Sequence, residues 1–416
     1  MLNQDAYTEA FEALLPTLPD AEREARREQL ARFFGSGLPD RSLETFKYSD
    51  FTALAATPYR LAEMADAGDL SAWMLADADT RVWVNGHAQT PGAAETTEVE
   101  GPTSAPAHDG LAALNAAFAR PGLQLHLRRG EQQTRPLHIL NVSAPAAAGR
   151  MIHLRHRIRL EAGASATVVL HDVGLGDAER WITQTLEIDL ADNARLQLVR
   201  IQDESPSTHC WFQATARIQR DARIELLPVD FGGALVRNDL RLLLQAPGAE
   251  CGLHGLFAPA GRSHVDNHTV IEHQSPHGIS REFCRGLAWD QAHAVFNGRI
   301  VVHPGAQKTD SEQRIANLVI GKGAEINAKP ELEIHADDVK CAHGATFGQL
   351  DETALFYLRS RGVPEATARS LLTFSFAGDV LRRISWPGLR EAVTRRFLQR
   401  MGGGLDAAEL DTGVQQ

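Results

Sequence analysis

From about residue 122, hydrophobic and polar positions alternate along the chain. Leu123, Leu125 and Leu127 are interleaved with Gln124, His126 and Arg128, and Ile152, Leu154, His156, Ile158 and Leu160 with His153, Arg155, Arg157 and Arg159. The same period of two returns at Leu186, Ile188 and Leu190 and at Leu240, Leu242 and Leu244. It predicts half-buried strands. Small-residue turns punctuate them at Gly163-Ala164, Asn193-Ala194, Asp221-Ala222, Gly248-Ala249, Gly305-Ala306 and Gly323-Ala324. The alanines are spaced by 30, 28, 27, 57 and 18 residues, and 57 is close to two of the earlier periods. Periods of 20–50 residues point to stacked coils. With almost no helical pattern between 122 and 345, an all-strand β-helix or β-solenoid is favoured, and a large sandwich is the competing architecture.

On either side the period is helical. Ala6, Ala10, Phe11, Leu14 and Leu15, then a run from Asp20 to Phe34, predict helix over 5–34, stopped by Gly35 and Gly37. A loop-like segment with short helical pieces follows. It ends in the Gly/Ala/Pro/Thr/Ser stretch 91–108, the best candidate for a linker. Beyond the strands, Asp351 is placed to cap a helix containing Leu355, Phe356 and Leu358. Pro364 and Pro387 sit at two further helix starts, the last carrying Leu389, Val393, Phe397 and Leu398 on one side. Gly402 to Gly404 closes it and leaves a tail. The expected division is an N-terminal helical domain with linker over 1–105, a β core over 106–348, a C-terminal helical domain over 349–402 and a tail over 403–416.

Composition narrows the classes. The chain has 416 residues, a net charge of −11, 43% hydrophobic and 23% charged residues, as in ordinary globular proteins. No dense Lys/Arg cluster invites nucleic acid or an anionic membrane, and no apolar run is long enough to span a bilayer. The first residues carry acids where a signal peptide would carry bases. Cys210, Cys251, Cys284 and Cys341 form no CxxC pair, so neither a disulfide scaffold nor a closed structural zinc site is indicated. The expected location is cytoplasmic, with reduced thiols. Low aromatic content, 6%, and the absence of a leader argue against a secreted carbohydrate-active β-helix enzyme.

Candidate chemistry is sparse. Cys341 and His343 stand two apart, so on a strand they share a face, and a thiolate beside an imidazole suits zinc, copper or iron–sulfur chemistry. Two ligands do not complete a site, and a buried thiol beside a hydrogen-bonded histidine is the plain alternative. Lys340 favours thiolate character from the opposite strand face, while Asp337 and Asp338 oppose it. His264, Asp266 and His268 also share a strand face, with His273 and His277 nearby. They suit a metal or a polar ladder on a solvated strand. The arginines at 155, 157 and 159 suit an anion or, again, solvent. Gly321-Lys322 is not part of a Walker A motif, because Ala316 stands where its first glycine would be and Gly323 where its Ser/Thr would be. No G-x-S-x-G elbow is present.

Longer stretches carry a likeness. G-R-I-V-V-H-P-G-A-Q-K-T-D-S-E-Q from Gly298 to Gln313, P-E-L-E-I-H-A-D-D-V-K-C-A-H-G-A-T-F-G-Q-L-D from Pro330 to Asp351 and L-F-Y-L-R-S-R-G from Leu355 together resemble the core of the SufB/SufD family of iron–sulfur cluster assembly proteins. H-V-D-N-H-T-V-I-E-H-Q-S-P-H from His264 is similar to the segment just upstream. E-T-F-K-Y-S-D-F from Glu44 is similar to the family's Glu-x-Trp-Lys-Tyr-Thr element, with Phe46 for the tryptophan and Ser49 for the threonine. The K-C-A-H-G-A-T stretch resembles the SufD-like side of the family. The resemblance implies a right-handed parallel β-helix flanked by N-terminal and C-terminal helical domains. It implies pairing with SufB through the β-helix, binding of the SufC ATPase through the C-terminal helices, and a possible homodimer in isolation. It also implies a scaffold and not an enzyme, with Cys341 and His343 as ligands for iron or a nascent, transient iron–sulfur cluster at the SufB interface. A reduced flavin is implied only for the assembled complex, since no flavin motif is found. A purely structural subunit is the alternative.

Overall fold

The computed structural model describes residues 2–89 and 108–401. Most of the linker stretch 91–108 and the tail after Gly402 therefore lie outside the described residues.

The strands stack in two parallel sheets. Strands of the first sheet begin at residues 150, 180, 208, 235, 264, 293 and 325, so one coil takes about 30 residues. Strands of the second sheet alternate with them along the chain, ending with Asp310–Val319 and Lys340–Gly348. Each strand pairs in parallel with the strand one coil away, as Arg150–Leu160 does with Arg180–Leu190 over eleven residues without a slip. Apart from the short hairpin pairing of Trp83 and Val84 with Ala88 and His87, every pairing is parallel. This is a β-solenoid. A sandwich would require antiparallel neighbours.

The small-residue turns have a common backbone cause. Gly130, Gly163, Asn193, Asp221, Gly248, His277 and Lys308 recur once per coil with φ between 53° and 73°. Each donates its backbone N–H to a carbonyl of the next coil, from Gly130 to Ala162 through to Lys308 to Asp338. The ladder thus continues round the corner, and Gly, Asn and Asp dominate because they tolerate the left-handed region. Ala164, Ala194, Ala222 and Ala249 follow in the same corners, Ala306 lies two residues before Lys308 in its corner, and all five are fully buried. The 57-residue gap arises because His277-Gly278 takes the corner in the intervening coil. A β-carbon on Gly278 would stand 2.7 Å from His273 Nδ1. The spacing of 18 arises because Ala324 lies in the opposite corner.

Inward side chains such as Leu154, Leu186, Leu198, Leu226, Leu240 and Leu253 fill the lumen with one continuous apolar core. Each outer face is covered by helices. Helices α1 (Gln4–Leu14), α2 (Asp20–Ser36) and α3 (Asp109–Phe118) pack Tyr7, Phe11, Phe33 and Phe118 against Met151, Trp181 and Trp211 of the first sheet. Helix α3 was not anticipated. Its sequence, D-G-L-A-A-L-N-A-A-F, is almost uniformly apolar and shows no polar face, because nine of its ten positions, Gly110 to Phe118, are buried. Helices α4 (Glu352–Ser360), α5 (Glu365–Leu381) and α6 (Pro387–Arg400) follow the last coil. Val380, Leu381, Leu389, Val393 and Phe397 pack on Val199, Val229, Leu256 and Leu287 of the second sheet. Asp351 caps α4 by accepting from the N–H groups of Thr353 and Ala354, as its sequence position predicts. The strand Asp79–Val84 also joins the second sheet, beside Leu137–Val142.

Candidate functional site

The strand Lys340–Gly348 is the last of the second sheet, and Glu325–Ile334 the last of the first. Among the described residues neither has a neighbour on its outer edge. The solenoid is therefore open at this end, with the N–H and C=O groups of two strand edges unpaired.

Cys341 and His343 stand on that final strand, in register with Ser311 and Gln313. Ser311, Gln313 and Ile315 are buried and point into the lumen, so Cys341, His343 and Ala345 project to the same inner side. Cys341 and Ala345 pack against the apolar core, and Cys341 is half-buried. His343 faces inward yet is exposed. Among the described residues no further coil covers it.

Two polar columns lead up to the pair from deeper coils. The first runs Cys251, Ser280, Ser311, Cys341 in consecutive register. Within it the Ser280 and Ser311 hydroxyls lie 2.7 Å apart, and His273 Nε2 is 2.9 Å from Ser280 Oγ. The second runs Leu253, Glu282, Gln313, His343. Here Gln313 Nε2 donates to the buried Glu282 carboxylate, which also accepts from Thr269 Oγ1 at 2.6 Å. The sequence holds these columns as inward polar positions at Ser280 and Glu282, and at Ser311 and Gln313. Their alternation is visible, but their alignment depends on register.

Burial pushes the Cys341 thiol above its ordinary value, and nearby Asp310 adds to this, while the Ser311 backbone N–H opposes it. Lys340, on the opposite strand face, does not reverse the balance. The free chain thus presents a thiol, and a cation arriving at the sulfur would be needed to make it a thiolate ligand. Cys210, Cys251 and Cys284 are fully sequestered in the lumen.

The histidine-rich strand behaves differently. His264, Asp266 and His268 face outward, His273 faces the lumen and His277 turns the corner, so the five are not brought together. Asp266 is buried between Arg237 Nη1 at 2.7 Å, His268 Nε2 at 3.0 Å and the Ser49 hydroxyl. Burial would raise its pKa, but Arg237, then His268 and the hydrogen bonds from His268 and Ser49, hold it far below the usual carboxylate range. Arg237 also donates to the Thr45 carbonyl at 2.8 Å and lies over the Phe46 ring at 4.4 Å. This cluster therefore anchors the Glu44–Phe51 element to the first sheet. It is neither a metal site nor a solvated ladder. The arginine stripe is likewise tied down locally, with Arg157 3.7 Å from Asp189. Among the described residues, no three His, Cys, Asp or Glu side chains are grouped to hold a metal ion. Gly321-Lys322-Gly323 lies in a corner between strands.

The SUF-system FeS cluster assembly SufBD core domain matches residues 142–376, the part that forms the coils, the open end and the first C-terminal helices. The chain belongs to the SufBD family. It is 30% identical over 398 residues to the iron–sulfur cluster assembly protein SufD of Escherichia coli, covering 91% of this chain and 93% of that one. An iron–sulfur cluster assembly SufBD family protein from Synechocystis is 38% identical over 205 residues, 49% of this chain and 45% of the relative. The chloroplastic protein ABCI7 of Arabidopsis thaliana is 31% identical over 228 residues, 54% and 48% of the two chains. The K-C-A-H stretch at the open end lies within the matched residues. No helix among the described residues is long and apolar enough to cross a membrane.

Proposed function

We propose that this chain acts as the SufD-type component of a cytoplasmic iron–sulfur cluster assembly scaffold. It supplies Cys341 and His343 as half of a site for iron or a nascent cluster, and a SufB-type partner supplies the other half. The observation that carries this reading is the position of the pair, which faces inward on the terminal strand with no coil above it. A partner adding strands to the two free edges would complete the ladder and cover the pair. Ile334 and Phe347, at 42% and 54% exposure, are large apolar side chains left uncovered on those same strands. A second copy of the chain would use the same edges in a homodimer. A SufC-type ATPase would dock on the C-terminal helices, where Phe356 and Tyr357 of α4 are 70% and 56% exposed. A site split between chains can open and close as subunits move, which suits a scaffold that must build a cluster and release it. Thiolate with imidazole is a workable donor set for such a centre. The role needs no catalysed bond cleavage by this chain, and a reduced flavin would belong to the assembled complex.

The test is co-purification with SufB and SufC, anaerobic reconstitution and ultraviolet–visible spectra of the Cys341→Ala/His343→Ala variant. Loss of cluster absorption with the complex intact is expected. Undiminished cluster build-up would leave the second reading, a purely structural subunit. That reading draws on the raised Cys341 thiol and its packing against the core.

A further inference from the structure

We propose that Gln313 is a positioning residue that fixes the imidazole tautomer of His343, and that Glu282 fixes Gln313 in turn. The inference rests on His343 being a ligand for its importance, but not for its geometry. Gln313 is fully buried, one coil below His343 and in register with it on the same inner side. Its Nε2 donates to Glu282, on the coil below. Burial raises the Glu282 pKa, and the hydrogen bonds from Gln313 and Thr269 oppose this; with both its oxygens accepting, the carboxyl group holds the amide nitrogen and turns Oε1 away from itself. Oε1 is buried and has no hydrogen-bond partner among the described residues. A buried amide oxygen without a donor costs on the order of 1–3 kcal/mol, so the position calls for one. His343 is the next residue in the column, and either ring N–H can meet that need.

The space for this arrangement is built into neighbouring residues. A β-carbon on Gly298 would lie 2.3 Å from Gln313 Nε2, so the facing strand is kept bare where the amide passes. Thr269, from the same sheet as Gly298, donates to the other Glu282 oxygen at 2.6 Å. Glu282, Gln313 and Thr269 are all buried, and none is needed to fill the core with apolar volume. The chemical result is directional. When one ring N–H is held by Gln313 Oε1, the other ring nitrogen carries the lone pair and is left facing the open end, the form in which a histidine binds a metal.

The experiment uses the full chain, labelled with nitrogen-15 at histidine, and reads the ring nitrogens of His343 by long-range proton–nitrogen correlation, assigned by loss in His343→Ala. The parent protein should show one tautomer with two well-separated ring shifts. Gln313→Met, which keeps length and removes the acceptor, should shift them towards the averaged values of a free imidazole. Glu282→Gln, which allows the Gln313 amide to turn over, should do so in part. Averaged shifts in the parent, or identical shifts in parent and folded Gln313→Met, would overturn the inference. If Gln313→Met does not fold, the parent spectrum and Glu282→Gln decide it alone. Failure of the ligand reading is separate. It would appear as undiminished cluster build-up in His343→Ala while the tautomer result stands.

Discussion

The middle and the end of the solenoid use inward polar side chains in opposite ways. In the middle coils, Arg200 is buried in the lumen between Asp172 at 3.2 Å and Asp230 at 3.1 Å. It also donates to Asn238 at 2.9 Å and stacks on the Phe212 ring at 4.1 Å. Coils above and below supply every partner. At the open end, other inward positions carry Ser311, Gln313, Cys341 and His343, and among the described residues no further coil closes their columns. Polar groups on this inner face are structural wherever a further coil stacks over them. They become available for chemistry only where the stacking stops.

The sharpest way to break this contrast is to disturb the middle. Arg200→Ala strands two buried carboxylates and should destabilise the protein by about 3–5 kcal/mol, read as a lowered urea midpoint. A variant as stable as the parent would show that the lumen there is not sealed by the ion network.

Acid titration probes other buried groups of the early coils with a smaller effect per group: His156 faces the lumen, while His153 lies under Phe118 and His171 beside Trp73 on the outer faces. Burial lowers His153 to about 3 and His156 to about 4. It also lowers His138 to about 3, helped by His171, and His171 to about 4. These rings are neutral when folded, whereas the unfolded chain protonates near pH 6.5. Stability should therefore be full above that pH and fall as the pH drops below it, until the folded values are reached. Each histidine should cost about 2 kcal/mol by pH 5, measured by denaturant unfolding at pH 7 and pH 5. A flat profile would mean that these rings are open to water.

The smallest expected change is at the open end. His343→Ala should cost no more than about 1 kcal/mol, because the side chain is exposed and water at the open end can take over the Gln313 acceptor it leaves. A large loss would place His343 among the structural residues of the middle coils.

Much of this was legible in the sequence. The period of two at Ile152–Leu160 and Leu240–Leu244, the corner residues from Gly163 to Gly248 and the cap at Asp351 each rest on local backbone chemistry, which neighbouring residues determine. The Cys341/His343 face follows from strand geometry alone. The anchoring role of Asp266 was not legible, because Ser49 and Arg237 reach it from 217 and 29 residues away. Helix α3 lacked a polar stripe because it is covered on all sides. The columns Ser280–Ser311 and Glu282–Gln313 were visible as polar positions but unaligned, since a single-residue slip of register would move each to the other face.

By itself, then, the sequence determined the coil length, the strand faces and the helices that cap and stop, all set within a few residues of each position. Only the tertiary structure decided which coil is last and which polar groups are stacked beneath the Cys341/His343 pair. Parallel stacking joins residues about 30 apart, and whether an inward side chain is sealed or open depends on whether another strand lies above it.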